Sequence, residues 1–388
     1  MKKFMSMVMV MILAMSLLTA CGNNGGSNTY KIGGIGPLTG GAATYGMAVK
    51  NGAQIAVEEI NAAGGIGGVQ IEFNMEDDEH NPEKSVNAYN KLKDWGMNIL
   101  MGTVTSGPGT AVVAYSSDDN LFQLTPSASS LDVIANNTNV FQVCFTDPNQ
   151  GVASAEYLGQ VGVMANDGSL VSNVAVIYDS SDVYSAGIYA KFVEAAANQP
   201  FSIVAAEAFT EDSNKDFSVQ LQKARDSGAQ LVFLPIYYQE ATLILTQAAA
   251  MDFNPVYFGC DGLDGILGVE NFDKSLAEGV MLLTPFAADA NDAKTQAFVS
   301  EYQSRHGEIP NQFAANAYDA MYVIKAAIEK SGAKPSMNVS ELGDALTAAI
   351  IGLSYDGITG HNMTWSANGE VNKAPKAMII KNGVYVGL

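Results

Sequence analysis

Histidine, cysteine and tryptophan are scarce in this 388-residue chain, with three, three and two copies respectively. The histidines, His80, His306 and His361, stand far apart, and neither an HExxH nor a paired CxxC spacing occurs, so no zinc site is readable. Cys144 and Cys260 are too distant in sequence to identify a disulfide and read as buried free thiols. Basic residues are also few: 20 Lys and Arg stand against 40 Asp and Glu, a formal net charge of −20. Such acidity disfavours nucleic acid and anionic surfaces as partners and favours solubility. Enzyme signatures are missing too. There is no GxSxG elbow and no Walker lysine, and the glycines at Gly34-Ile35-Gly36 run into Pro37 without the third glycine of a dinucleotide loop. No nucleophile–base pair stands out, and no cofactor is implied.

Only one apolar run has the look of a membrane segment, and it is short. Lys2 and Lys3 precede Phe4 to Leu18, and Leu18-Thr19-Ala20-Cys21 follows. This stretch resembles a bacterial lipoprotein signal peptide cut just before its cysteine. The resemblance implies a leader over 1–20, an acylated Cys21 as the mature N-terminus, and a polar tether over 21–27. Anchoring to the outer face of the cell membrane through that lipid is therefore expected. Loss of Lys2 and Lys3 with the leader would make the charge balance more negative still.

The remainder alternates short apolar runs with segments of helical period. Strands are predicted at Tyr30 to Gly36, Val69 to Met75, Ile99 to Met101, Leu121 to Leu124, Val174 to Tyr178, Ser202 to Ala206, Leu231 to Leu234 and Val256 to Phe258. Helices are predicted at Gly46 to Ala63, after the Asn81-Pro82 start signal to Trp95, and at Gln150 to Val163, Ala186 to Asn198, Phe217 to Ser227 and Glu240 to Met251. The alternation predicts an α/β protein of two domains with parallel sheets covered by helices. Ligands of such sheets gather at the carboxyl ends of strands.

The loops there carry a consistent chemistry. Thr103 to Gly109 and Thr125 to Ser130 supply hydroxyls and backbone N–H groups where helices are expected to begin, which suits a carboxylate. Tyr184, Tyr238 and Asp261 follow later strands, and a carboxylate flanked by aromatic rings suits an ammonium group. Asp77-Asp78-Glu79 lacks the spacing of a calcium loop and reads as a solvated turn.

Several strings, in order and spacing, resemble the leucine/isoleucine/valine-binding family of ABC-transporter substrate-binding proteins (periplasmic binding protein type I). They are Ile35-Gly36-Pro37-Leu38-Thr39-Gly40, Glu59-Ile60-Asn61-Ala62-Ala63-Gly64-Gly65, Gly102-Thr103-Val104-Thr105-Ser106, Thr125-Pro126-Ser127-Ala128-Ser129, Thr146-Asp147-Pro148-Asn149-Gln150-Gly151 and Ala314 to Ala320. The resemblance implies two doubly wound lobes joined by a three-crossing hinge, with 28–143 and 286–375 forming lobe 1 and 144–285 and 376–388 forming lobe 2. It implies that Thr105 binds a ligand carboxylate, and that Ser127 and Ser129 meet the ligand's backbone groups. Tyr184, Tyr238 and Asp261 take the second-lobe positions, Asp261 as ammonium partner, while Tyr45, Thr103, Val104 and Phe313 shape the side-chain pocket. Well-known members carry Glu where Asp261 stands, an aliphatic residue at Thr103 and an Arg at Gln142. His80 and Val104 occupy the places of a disulfide found in some members. The function so implied is capture of a branched-chain or other neutral L-amino acid by a monomer that delivers it to ABC permease subunits. A sensory receptor module for amino acids or amides uses the same fold and is the alternative.

Overall fold

A computed structural model describes residues 29–388, so the leader, Cys21 and the whole tether lie outside the described residues. The first sheet collects β1 (Tyr30–Gly36), β2 (Ile71–Asp77), β3 (Ile99–Gly102), β4 (Gln123–Thr125) and β5 (Val140–Gln142) in the parallel order β2-β1-β3-β4-β5. Its register runs from Tyr30 opposite Ile71 to Gly36 opposite Asp77. The second sheet holds β6 (Asn173–Asp179), β7 (Ser202–Phe209), β8 (Leu231–Leu234), β9 (Val256–Gly259), β10 (Met281–Thr284), β13 (Lys376–Lys381) and β14 (Val384–Gly387), in the order β14-β13-β10-β9-β8-β6-β7. β11 (Ser354–Tyr355) and β12 (Met363–Thr364) form a separate antiparallel pair. Helices α1 (Ala43–Ala62), α2 (Pro82–Trp95) and α3 (Ser106–Asp118) belong to the first half. α4 (Asp147–Glu156), α5 (Val183–Ala196), α6 (Ser218–Asp226) and α7 (Tyr238–Ala250) accompany the second sheet. α8 (Ala293–His306), α9 (Gln312–Ser331) and α10 (Val339–Ile351) follow β10.

The chain therefore passes between the halves three times: after β5, after β10, and again before β13. The two parallel-sheet α/β lobes and their triple connection are those the resemblance implies. Local chemistry explains the elements. Asn81 caps α2 by accepting a hydrogen bond from the Lys84 N–H at 3.0 Å, with Pro82 at the first helical position and Gly96 in the left-handed region beyond the end. α1 and α9 approach so closely that a Cβ at Gly52 would stand 2.1 Å from the Ala314 carbonyl oxygen. That contact returns α9 to the first half after the chain has built most of the second.

Several expectations need correction. α1 begins at Ala43, three residues before the predicted start at Gly46. The helix expected over Gln150 to Val163 ends as α-helix at Glu156 and continues as a π-helical segment, Tyr157–Gly162, which Gly162 closes at φ 78°. No α-helix begins after β4. The Thr125–Ser130 loop leads only into a single 3-10 turn, Leu131–Val133, and the Thr125 hydroxyl accepts from the N–H groups of Ser127 and Ala128 instead. The sheets are not wholly parallel: β13 runs antiparallel to β10 and pairs with β14 through Asn382-Gly383, both left-handed at φ 53° and 72°, the dihedrals of a type I′ hairpin turn. Asp78 is not solvated. It is fully buried, while Asp77 organises the turn by accepting from the N–H groups of Leu38, Thr39 and Glu79 and the Thr39 hydroxyl. Among the described residues, no helix is long and apolar enough to cross a membrane. Cys144 and Cys260 are both free and buried.

Candidate functional site: the cleft between the two halves

Tyr45, on the first turn of α1, is the pivot of the cleft. Its hydroxyl donates to the Gly262 carbonyl and accepts from the Tyr238 N–H at 3.1 Å, so one phenol on the first-sheet side is hydrogen-bonded twice across the cleft. Its ring meets Tyr238 edge-on at 4.8 Å, Tyr237 at 5.5 Å and Phe313, at the start of α9, at 4.3 Å. The Tyr238 hydroxyl accepts from the Thr44 N–H at 3.2 Å. These contacts hold the two halves closed on one another.

On the second-sheet side, the Tyr184 hydroxyl donates to Asp261 Oδ1 at 2.8 Å and accepts from the Gly262 N–H at 2.9 Å. Asp182 caps α5 by accepting from the Tyr184 N–H and so fixes that tyrosine's direction. The Asp261 N–H donates to Gln150 Oε1 at 3.1 Å, and Gln312 Nε2 donates to the Asp261 carbonyl at 3.2 Å. Burial raises the Asp261 carboxyl to about 6, against the pull of hydrogen bonds from Tyr184, Gln312 and Gln150. Asp182 and Asp264 are raised by burial to about 7, and Asp147 is pushed well above the usual range by burial and by the charges of Asp261, Asp182 and Asp132. The cleft is thus lined by buried acidic side chains.

On the first-sheet side, Thr105 stands immediately before α3 and its Oγ1 lies 2.9 Å from His80 Nδ1. Burial lowers the pKa of His80, against the pull of the Asp179 charge. The His80 ring meets Tyr237 edge-on at 5.4 Å, and Tyr237 stacks on Tyr184 at 4.9 Å. A continuous chain of contacts thus runs from Thr105 through His80 and Tyr237 to Tyr184 and Asp261.

The residues singled out from sequence do not all turn the same way. Tyr45, Thr105, Tyr184, Tyr238, Asp261 and Phe313 are joined by the contacts above. Thr103 is spent on the loop itself: its hydroxyl donates to the Thr105 carbonyl at 3.1 Å, and its carbonyl accepts from the Thr125 hydroxyl at 2.7 Å. The Val104 side chain covers Gly36, where a Cβ would lie 2.3 Å from Val104 Cγ2, and the Val104 carbonyl accepts from the Ser127 hydroxyl at 2.6 Å. Ser129 is buried beside the Asp147 carboxylate, and its carbonyl accepts from the Asp147 N–H at 3.1 Å. Sequence reading gave no site role to His80, Asp147, Asp182 and Tyr237. Tyr237 was recoverable as the neighbour of Tyr238, but a lone histidine and two aspartates at helix starts carry no local signal of a cleft. Among the described residues, no group of His, Cys, Asp and Glu is arranged to hold a metal. A cavity of about 720 Å³ lies between the β13–β14 hairpin and the loop at Glu308–Asn311 and reaches Thr44 and Asp264 at the edge of the cleft.

The Periplasmic binding protein family matches residues 29–383. Leu/Ile/Val-binding protein homolog 3 of Brucella melitensis is 31% identical over 369 residues, covering 92% of this chain and 93% of that protein. The leucine-, isoleucine-, valine-, threonine- and alanine-binding protein of Pseudomonas aeruginosa is 26% identical over 342 residues, covering 88% and 89%. Among solved structures, the branched-chain amino acid transporter substrate-binding protein LivJ of Streptococcus pneumoniae, in complex with isoleucine, superposes with a TM-score of 0.81 at 29% identity, covering 93% and 100%. With a whole-length family match, relatives of this similarity and a closed cleft carrying opposed hydroxyl and carboxylate poles, the chain belongs to the periplasmic binding protein family, among its Leu/Ile/Val-binding members.

Proposed function

We propose that this protein is the extracytoplasmic solute-binding lipoprotein of an ABC importer, which captures a branched-chain or other neutral L-amino acid between two lobes and presents it to the permease subunits. The observation that carries this reading is the Tyr184–Asp261 pair, a buried carboxylate aligned by a phenol, standing across the cleft from Thr105. Asp261 takes the ligand's ammonium, and the Thr105 hydroxyl with the N-terminus of α3 takes its carboxylate. Tyr45, Tyr237, Tyr238 and Phe313 give the side chain an apolar, aromatic wall without a counter-charge. Thr103, Val104, Ser127 and Ser129 shape the loop that receives the ligand's backbone. Lobe 1 comprises 28–143 and 286–375, and lobe 2 comprises 144–285 and 376–388, so that closure is a hinge motion about the three crossings. Binding and release, not bond chemistry, is the activity, and the protein acts as a monomer held at the membrane by acylated Cys21.

Native mass spectrometry of the protein purified from its own membranes tests the reading in one experiment. It should show a diacylated Cys21 terminus and a bound amino acid of neutral side chain. A ligand without an α-amino group, or an unmodified terminus, contradicts it.

A further inference from the structure

His80 reaches the cleft from an uncommon stretch of backbone. Glu79 and His80 are both left-handed, at φ 50° and 60°, a conformation that asparagine, aspartate and histidine tolerate better than other non-glycine residues. The Asp77 and Asp78 carboxylates hold the turn by accepting from the N–H groups of Glu79 and His80 at 3.0 and 2.9 Å, and Asn81 then starts α2. The ring that this turn delivers lies between the two halves. Its Nδ1 is 2.9 Å from Thr105 Oγ1 on the first-sheet side, while Tyr237 packs against it from the second-sheet side. Asp179, at the end of β6, also faces it from that side.

Thr105 stands where a threonine hydroxyl ordinarily accepts from the first turn of its own helix, yet it makes no such bond to α3. Among the described residues, His80 is that hydroxyl's one hydrogen-bond partner. A threonine hydroxyl has a single hydrogen, and a neutral imidazole carries one N–H on either nitrogen. When Nδ1 accepts, the Thr105 hydrogen is spent on His80 and only lone pairs remain for a ligand. When Nδ1 carries hydrogen, it donates to Thr105 Oγ1 and frees the hydroxyl hydrogen for another acceptor.

We propose that His80 is a positioning residue: in the liganded protein its Nδ1–H donates to Thr105 Oγ1, turns the hydroxyl hydrogen onto the ligand carboxylate, and so makes the cleft prefer a carboxylate to the matching carboxamide. Each hydrogen bond in such a chain polarises the next. Because Tyr237 packs on the ring from the second-sheet side, closure fixes the orientation that serves Thr105. The proposal rests on the amino-acid-binding reading above.

Two measurements test it. In nitrogen NMR of protein isotopically labelled at histidine, the chain holds only three histidines, so His80→Asn identifies the His80 signals by their loss. Saturating L-isoleucine should leave His80 Nδ1 with the signature of a nitrogen that bears hydrogen. Calorimetry on ligand-stripped protein then compares L-isoleucine with L-isoleucinamide. His80→Phe keeps a ring beside Tyr237 but removes the donor. It should bind L-isoleucine about 2- to 10-fold more weakly and L-isoleucinamide little changed. His80→Asn retains an N–H donor and suits the left-handed backbone, so it should restore most of the preference. An Nδ1 without hydrogen in the complex overturns the inference, as does an unchanged preference in His80→Phe. Equal weakening of both probes, or His80→Asn as poor as His80→Phe, also overturns it and leaves His80 a packing residue alone. Should His80→Phe fail to fold, the wild-type nitrogen signal decides. Wild type that binds no L-amino acid defeats the reading of function itself, and the inference with it.

Discussion

A carboxylate sunk in a protein cleft keeps its charge only when something donates to it, and Asp261 receives that help from Tyr184. Stripping one member of such a desolvated pair costs about 3–5 kcal/mol. Asp261→Asn should therefore weaken L-leucine binding by roughly two to three and a half decades in calorimetry, and unchanged affinity would show that the ammonium lies elsewhere. The sign of the pH dependence follows from burial. The free carboxyl sits at about 6, above its ordinary value, and an ammonium ligand favours the ionised form. Affinity should therefore fall as pH drops from 7.5 towards 5, and Asp261→Asn should reduce that slope. An affinity that holds constant over this interval counts against Asp261. Tyr184 and Asp261 were legible because they follow strands whose ends gather ligands. His80 was not: an isolated histidine looks the same whether it faces solvent, core or ligand. Only the fold places the His80 ring 5.4 Å from Tyr237. Asp78 shows the opposite failure, an acidic run read as solvated whose middle member the fold buries completely, where desolvation raises it to about 7.

At the scale of elements, strand and helix positions were readable wherever apolar period and cap chemistry agree. Leu231–Leu234 is a run of four buried apolar residues and was found to the residue, and α2 is written in its Asn81-Pro82 start. The reading failed where backbone geometry departs from period. The π-helical turn after Glu156 continues the apolar pattern of α4 without its hydrogen bonding, and hydroxyls in the Thr125–Ser130 loop satisfy the backbone that a helix would have used. A close approach between two helices gives a sharp test. Gly52 lies against α9, and an added methyl would stand 2.1 Å from the Ala314 carbonyl oxygen, well inside van der Waals contact. Gly52→Ala should gain a few tenths to 1 kcal/mol from the stiffer unfolded chain and lose about 1–3 kcal/mol or more to overpacking. A lower melting temperature is the expected net result in a thermal unfolding scan. A variant as stable as wild type would mean that α1 and α9 move apart freely.

Across the whole molecule, the chain crosses three times between two halves, each built on its own sheet. The α/β class, the parallel sheets and the position of the cleft at strand ends follow from strand–helix alternation alone. The second sheet's antiparallel hairpin does not, because the chain supplies it last, from residues remote in sequence from β10. The cross-cleft bonds of Tyr45 and Tyr238 belong to the closed arrangement. Hinge opening would break them, and on the proposed reading a ligand that bridges Thr105 and Asp261 would restore closure. In solution scattering, saturating L-isoleucine should reduce the radius of gyration of ligand-stripped protein, and no change would argue against a clamshell. The central claim, however, is what the cleft holds. Protein unfolded, stripped of ligand and refolded should be titrated calorimetrically with L-leucine, L-isoleucine, L-valine, L-glutamate and L-arginine. The account predicts tight one-to-one binding of the first three, separated by about 1–3 kcal/mol per methylene at most, and no measurable binding of the charged pair, whose side chains meet no counter-charge on the aromatic wall. Tight binding of glutamate or arginine, with the branched-chain amino acids inert, would contradict it.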